Sequence, residues 1–391
     1  MKVFMQKSKS RASTERILIT MTWGIGDAII IGLSAVDQIT RNDPDGKIAI
    51  DLLCNHSQAE LLKEDPRIHQ VIEVDQRLFP TSEAGTWKRG IFLPTEVMKL
   101  AEFLRNQDYS AILPYICAPT FFYRLHLPIL FLNAWESWKV ILQMHSCQNM
   151  PLQMLIRGMI NKYFGKGLQD LEAEVPIPLY IRPEHIQQAR HEIEQIKQNA
   201  FILQEQSQLL LVAPDTSSEI TRPPTRLLAE GIAWALASDP SLVVVILPSY
   251  TKRAASNNLL HALAPSFPGR IFLMPAEPKH SLLELAALID QSDLFISGDT
   301  GIMHIAATTK KIKQEFREEL LPRNSVKIIT LFGGTSPAWF GYSKRAIILG
   351  WGRKEQARFI PGMSKDSYDP KGKDLFDHIS SQELTEAILS H

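Results

Sequence analysis

Residues 297–307, Ser-Gly-Asp-Thr-Gly-Ile-Met-His-Ile-Ala-Ala, put an acid, a hydroxyl, glycines and an imidazole into one short segment. The apolar run at 293–296 precedes it and small, helix-compatible residues follow. This predicts a strand, a glycine-bracketed turn and a helix start. Backbone N–H groups at such a start have no intrahelical partner and favour an anion, typically a phosphate. Thr300 adds a hydroxyl at the turn. Gly301 lets the backbone approach a ligand closely, and Ile302 and His304 follow within one helical turn. Asp299 either caps the turn or accepts from a sugar hydroxyl. An ordinary βα turn with a capping Asp-Thr pair carries the same letters, and local pattern does not separate the two.

Three other segments carry polar groups at strand ends. Gly24-Ile25-Gly26-Asp27 follows the apolar run at 16–22. It has the first half of a dinucleotide fingerprint, but Ile29 stands where the third glycine belongs, and Asp27 would compete with a pyrophosphate for the positive helix end. At a strand's carboxyl end Asp27 suits either a general base or a helix cap. Residues 213–224 are dense in hydroxyls and acids, with Asp215 and Thr216 first and Arg222 last. Arg222 suits a diphosphate, which a guanidinium can bind in bidentate fashion, although a polar surface loop would read the same way. Finally, Gly333-Gly334-Thr335 closes the apolar run at 326–332, as a ligand-facing loop or a plain turn.

Strands and helices alternate around these segments. Strands are expected at 16–22, 47–53, 71–74 and 109–114, and again at 208–213, 242–247, 271–274, 293–297 and 326–332. Helices are expected at 28–39, 56–64, 94–106, 182–198, 223–238, 257–264, 281–289 and 377–389. Such alternation predicts parallel βαβ units, hence an α/β chain of two doubly wound halves. Ligands in such sheets bind beyond the carboxyl ends of the strands, which points to a cleft between the halves. The prolines at 176, 178 and 183 and the polar helix after them mark the junction. The expected organisation is a disordered tail (1–15), a first domain (16–180), a linker helix (181–205) and a second domain (206–391).

Composition narrows the function. Among 391 residues, 42 Lys and Arg balance 42 Asp and Glu, so the basic footprint of a nucleic-acid binder is missing. Cys54, Cys117 and Cys147 are widely spaced and form no CxxC pair, which argues against a disulfide framework or zinc knuckle and suits a reducing, cytoplasmic setting. The polar residues 1–15 read as a tail rather than a signal peptide. The apolar stretch at 121–132 is interrupted by Arg124, His126 and Pro128, so no transmembrane helix is expected.

Taken in order, these segments resemble glycosyltransferase family 9, the bacterial heptosyltransferases of the ADP-heptose:lipopolysaccharide type. The family begins with a strand, a short Gly-Asp loop and an apolar helix, as in Ile17 to Ser34. Its Asp-Thr-Gly-x-x-His-x-Ala-Ala segment stands at Asp299–Ala307, and its Leu-Phe-Gly-x-Thr-x-Pro segment at Leu331–Pro337. The resemblance implies a GT-B fold, two Rossmann-like domains facing across a cleft, and an inverting sugar transfer that needs no metal. It makes Asp27 the catalytic base. The backbone of Thr300, Gly301 and Ile302 and the Thr300 hydroxyl hold the donor diphosphate, with His304 lining the site and Asp299 contacting the sugar or positioning the loop. The donor is a nucleotide-diphosphate sugar, for which ADP-heptose is one candidate. The acceptor is a hydroxyl of a glycan, glycolipid or protein.

The chain departs from the family in two places. The family's Lys-x-Trp-Pro segment is Ile220-Thr221-Arg222-Pro223 here, so its lysine is missing and Arg222 is the nearby substitute. A charged stretch at 310–319 is read as an amphipathic helical insertion, with contact to a partner or a membrane surface as the alternative. The lost lysine keeps a catalytically weakened sugar-nucleotide or glycan binder as an alternative, and a nicotinamide-dependent dehydrogenase is a third. Work on a glycolipid would place the chain at the inner face of a membrane, with the aromatic and basic residues of 117–150 in peripheral contact or packed in the core.

Overall fold

The computed structural model describes residues 2–5, 15–21, 24–75, 94–114, 152–167, 177–200, 207–216, 218–249, 253–275, 280–312, 326–335, 337, 345–350 and 375–390. The chain divides into two compact units, Met1–Tyr180 and Ile181–His391. The stretch at 117–150, expected to meet lipid or to pack internally, lies outside the described residues, as do Ser217 and most of the 310–319 segment.

The first unit is built on strands β1 (Lys2–Met5), β2 (Glu15–Thr20), β3 (Ile48–Cys54), β4 (Gln70–Glu73) and β5 (Ala111–Pro114). Their order is β1-β4-β3-β2-β5. β2 to β5 run parallel, and β1 joins β4 antiparallel. Ile17, Leu18 and Ile19 of β2 and Leu52 and Leu53 of β3 are buried, as expected of parallel strands covered on both faces. Helix α1 (Ile25–Asp27) runs through a π-helical stretch (Ala28–Leu33) into α2 (Ser34–Asn42). The remaining helices are α3 (His56–Leu62), α4 (Pro94–Arg105) and α5 (Leu152–Tyr163). Asp37 of α2 is buried, and guanidinium groups surround it. Arg157 of α5 reaches its Oδ2 at 2.8 Å, Arg41 the same atom at 2.9 Å, and Arg67 its Oδ1 at 3.2 Å.

After β6 (Pro178–Ile181) and α6 (Pro183–Asn199), the second unit has strands β7 (Gln208–Ala213), β8 (Leu242–Ile246), β9 (Ile271–Leu273), β10 (Leu294–Gly298), β11 (Thr309–Ile312), β12 (Lys327–Leu331) and β13 (Ala346–Leu349). Six of them form a parallel sheet in the order β13-β12-β10-β7-β8-β9. This is the doubly wound Rossmann order, and the direction of winding reverses between β7 and β10. Helices α7 (Thr225–Ser238), α8 (Ala254–Leu263), α9 (Leu282–Gln291), α10 (Gly301–Ala307) and α11 (Ser381–Leu389) complete the unit. Leu210, Val212, Val244, Ile246 and Ile296 join Leu228, Ile232 and Leu384 in one core. Both halves therefore have the α/β, doubly wound character expected.

The structure departs from the sequence expectations at several points. Lys2–Met5 is a strand inside the stretch expected to be a tail, because β4 offers an open edge of backbone donors and acceptors. The 182–198 helix is not a free linker: α6 buries Ile186, Ala189 and Ile193, and Arg190 Nε donates to Gln291 Oε1 of α9 at 2.9 Å. The helix expected from Ala28 starts at Ile25, since Asp27 satisfies the Gly24 N–H one turn back. Lys310–Ile312 lies in β11, not in a helix. Lys310 is buried, and its Nζ donates to the carbonyls of Ile305 (2.7 Å), Ala306 (3.2 Å) and Thr308 (3.1 Å). Charge periodicity could not show that this lysine caps the preceding helix instead of facing water. Among the described residues no helix is long and apolar enough to cross a membrane.

Candidate active site

In the second unit, the loops that leave β7, β10 and β12 converge at the carboxyl edge of the sheet. β7 and β10 flank the reversal point, where a crevice opens in folds of this order. The contact between the loops is close. A Cβ on Gly298, the last residue of β10, would stand 2.2 Å from Thr221 O and 2.9 Å from Pro223 Cδ. Only glycine lets the β7 loop cross there. On the other side, Gly334 N donates to Ile220 O at 2.8 Å, and a Cβ on Gly334 would meet Ile220 Cβ at 2.8 Å. The chain at 220–223 is thus wedged between the β10 and β12 turns.

Asp299, Thr300 and Gly301 form the turn into α10. Thr300 is the N-cap by position, with extended φ −147° and ψ 167°, but its hydroxyl makes no capping bond. The ordinary capping reading of this hydroxyl is therefore not what the geometry shows. Met303 N and His304 N both donate to Thr300 O, at 3.1 and 3.3 Å. Gly301 and Ile302 sit in the first turn, ahead of any intrahelical acceptor. His304 is buried, with Nε2 3.4 Å from Asp299 Oδ1. This contact links the acid at the turn to the imidazole one turn in.

Three polar atoms at this edge are buried and have no hydrogen-bond partner among the described residues: Arg222 Nε, Thr300 Oγ1 and Thr335 Oγ1, one from each loop. Buried polar atoms are almost always satisfied, so three on converging loops need an explanation. Ser297 Oγ and Thr330 Oγ1, paired across β10 and β12, share that condition. Arg222 is fixed from behind, with Nη2 donating to Thr216 O at 3.4 Å. The Thr216 hydroxyl bonds Ser218 O. Asp215 turns both oxygens the other way. Its Oδ1 accepts from Ala255 N (3.2 Å), and its Oδ2 accepts from Ser249 N (3.3 Å) and from the Ser256 hydroxyl. Asp215 therefore ties the β7 loop to the start of α8.

Gly24, Gly26 and Asp27 belong to the first unit, after β2, which with β5 flanks the reversal point of that sheet. Asp27 Oδ2 accepts from Gly24 N at 2.8 Å, and Gly24 O accepts from Gln58 Nε2 at 3.0 Å. Asp27 is partly exposed at the head of a π-helical stretch, a feature frequent at functional sites. Sequence reasoning missed Gln58, Ser249 and Ser256, because each acts across the fold rather than within a motif, and it gave Ile220 no role beyond its place in the 220–223 segment. Among the described residues, no group of three or more His, Cys, Asp and Glu side chains is arranged to hold a metal ion.

Residues 241–367 match the family model of glycosyltransferase family 9 (heptosyltransferase), a span that contains Asp299–His304, Gly334 and Thr335. No curated protein sequence matches the chain. Similar solved structures include the family 9 glycosyl transferase of Veillonella parvula DSM 2008, at TM-score 0.65 and 15% identity over 98% of both chains. The E. coli ADP-heptose lps heptosyltransferase II aligns at TM-score 0.61 and 16% identity, over 96% of this chain and 98% of that one. The E. coli heptosyltransferase WaaC with ADP-2-deoxy-2-fluoro heptose aligns at TM-score 0.57 and 16% identity, over 95% and 98%. These likenesses are likenesses of fold, and that fold is the GT-B class. With its own motif residues inside the matched span, the chain carries a glycosyltransferase family 9 domain and is by that domain a glycosyltransferase.

Proposed function

We propose that this chain transfers a heptose-like sugar from a nucleotide-diphosphate donor, with ADP-heptose the leading candidate, to a hydroxyl of a glycan, glycolipid or protein. The observation that carries the reading is the convergence of Arg222, Thr300 and Thr335 on one edge, with buried polar atoms that have no partner among the described residues. A diphosphate supplies the acceptor oxygens those donors lack. Arg222 brings the charge, and Gly301 and Ile302 bring backbone N–H groups at a helix start. Thr216 holds Arg222 from behind, Asp215 ties the same loop to α8, and Asp299 and His304 border the sugar. Two of the similar structures are named for, or hold, an ADP-heptose or its fluoro analogue, which favours that donor.

In this reading Asp27 is the general base. It accepts the proton of the acceptor hydroxyl while that oxygen bonds the anomeric carbon. The bond from that carbon to the diphosphate oxygen breaks, and its electron pair leaves on the phosphate. A single displacement of this kind inverts the anomeric configuration. Arg222 and the α10 turn stabilise the leaving diphosphate, so no metal is assigned a role. A glycolipid acceptor would bring the chain to the inner, cytoplasmic face of a membrane.

The test is a thermal-shift screen with ADP-, GDP- and UDP-sugars, followed by turnover of ADP-heptose with lipopolysaccharide as acceptor. A rise in melting temperature with ADP-heptose and release of ADP are expected, and product of inverted configuration. Binding without turnover would leave a sugar-nucleotide binder. No shift with any of the nucleotides would sink the reading.

A further inference from the structure

We propose that Gln58 is a positioning residue for the transfer, holding the Gly24–Asp27 turn so that the Asp27 carboxylate stands in a fixed place. The inference rests on the reading of Asp27 as base given above.

Gln58 is the third residue of α3 and is 0% exposed. Two of its bonds are those of a helix start. Its backbone N donates to Asn55 Oδ1 at 3.0 Å, and its Oε1 accepts from Asn55 N at 3.2 Å. A capping glutamine needs nothing more. The other half of the carboxamide nevertheless stays inside and crosses to another loop, where Nε2 donates to Gly24 O at 3.0 Å. The amide orientation is dictated by its surroundings, since a flip would set oxygen against the Gly24 carbonyl and NH2 against the Asn55 N–H.

Gly24 is held from both ends. Its N–H goes to Asp27 Oδ2 at 2.8 Å, while its C=O receives Gln58. The same carbonyl accepts the first helical bond, from Ala28 N at 3.4 Å. Gly24 is exposed, whereas Gln58 is in the core. The turn that carries Asp27 is therefore anchored by a buried side chain from the neighbouring βα unit. The register makes this possible: β3 pairs with β2 up to Thr20 opposite Leu53, and Met21 N donates to Leu53 O at 2.8 Å. The chain leaving β3 thus reaches α3 beside the turn leaving β2. A carboxylate is an effective base only when held at the right distance, and a misplacement near 1 Å costs about 100-fold in rate.

The test separates this role from capping. Gln58→Met removes both bonds of the carboxamide. Asn55→Ala removes the side-chain cap but leaves the backbone N–H that orients Gln58. Both lower the melting temperature through α3. With ADP-heptose as donor and lipopolysaccharide as acceptor, Gln58→Met lowers kcat by about 10- to 100-fold, with KM for the donor and calorimetric affinity for ADP within about twofold of wild type. Asn55→Ala keeps kcat. Gln58→Glu, assayed at pH 8, retains an acceptor for Asn55 N but loses the donor to Gly24, and shows the same fall in kcat. Wild-type kcat in a folded Gln58→Met or Gln58→Glu protein overturns the inference, and so does an equal loss in Asn55→Ala. Asp27→Asn keeps the two readings apart. If it turns over normally, the base assignment falls and this inference with it. If it is inactive while Gln58→Met is normal, only the role of Gln58 falls.

Discussion

Replacing Gly298 by alanine adds one methyl group where the β7 and β10 loops touch. Its Cβ would lie 2.2 Å from Thr221 O, 2.9 Å from Pro223 Cδ and 3.2 Å from Pro223 Cγ. Real Cβ contacts do not fall below 3.0 Å, so the Thr221 carbonyl must retreat by at least roughly 0.8 Å. No side-chain rotation can absorb this, because the obstacle is backbone. Nor can the loop slide away freely, since Ile220 O is held by Gly334 N at 2.8 Å. Overpacking of this sort costs about 1–3 kcal/mol of stability. The larger consequence is at Arg222, next in sequence to Thr221, whose guanidinium would shift by a comparable amount from the Thr300 turn. A displacement of that size at a positioned group costs about 100-fold. Calorimetric titration with ADP should therefore show affinity reduced about 10- to 100-fold in Gly298→Ala, with a cooperative melt retained. Leu384→Ala is the control. Leu384 is buried against α7, away from these loops, and its truncation costs about 2–5 kcal/mol. It should lose more stability and no ADP affinity. Wild-type ADP affinity in folded Gly298→Ala, or equal weakening in Leu384→Ala, would refute the idea that the packed loops form the donor site.

Asp27→Asn should lower transfer by about 100- to 10,000-fold while ADP affinity stays unchanged, as read by ADP release and calorimetry. Arg222→Ala should weaken ADP binding by about 1.5–3 kcal/mol, the worth of a hydrogen bond to a charged group. Arg222→Lys should recover little of it, because lysine cannot replace the Nε of a planar fork; full recovery would count against that geometry. Burial pushes the Lys310 ammonium down to about 7 from its ordinary 10.5, with Asp290 nearby opposing the shift and Arg345 adding to it. Between those values the unfolded chain binds more protons than the folded one, so this group makes stability rise with pH from about 7 to 10.5, and the gain is lost as pH falls back to about 7. Melting temperatures between pH 7 and 9 should show that rise in the wild type and a flatter profile in Lys310→Met.

Most elements were legible because their cause is local. The run at 209–213 is apolar without interruption, and with Gln208 before it forms β7, with the limits expected. Residues 28–39 are apolar nearly all round and are buried throughout. Errors arose where the hydrogen bonds of a single polar side chain, rather than the apolar pattern, decided. Asp27 captures the Gly24 N–H and starts the helix three residues early. Lys310 looks like a solvated charge in a polar run, yet three carbonyls at the end of α10 draw it inside. Asp215 sits in a motif-like loop, but its partners are Ser249, Ala255 and Ser256.

The sequence by itself determined the class of fold, the alternation of strands and helices in βαβ units, and the short segments around Asp27, Arg222, Thr300 and Thr335. Periodicity, turn chemistry and residue spacing are written along the chain, so these needed no coordinates. Only the tertiary structure decided which polar atoms lack a partner among the described residues, that Gly298 and Gly334 clamp the 220–223 segment between two turns, and that Gln58 reaches Gly24 in the turn bearing Asp27. Those facts depend on distances between residues far apart in sequence, and such distances exist only once the sheets have set the loops side by side.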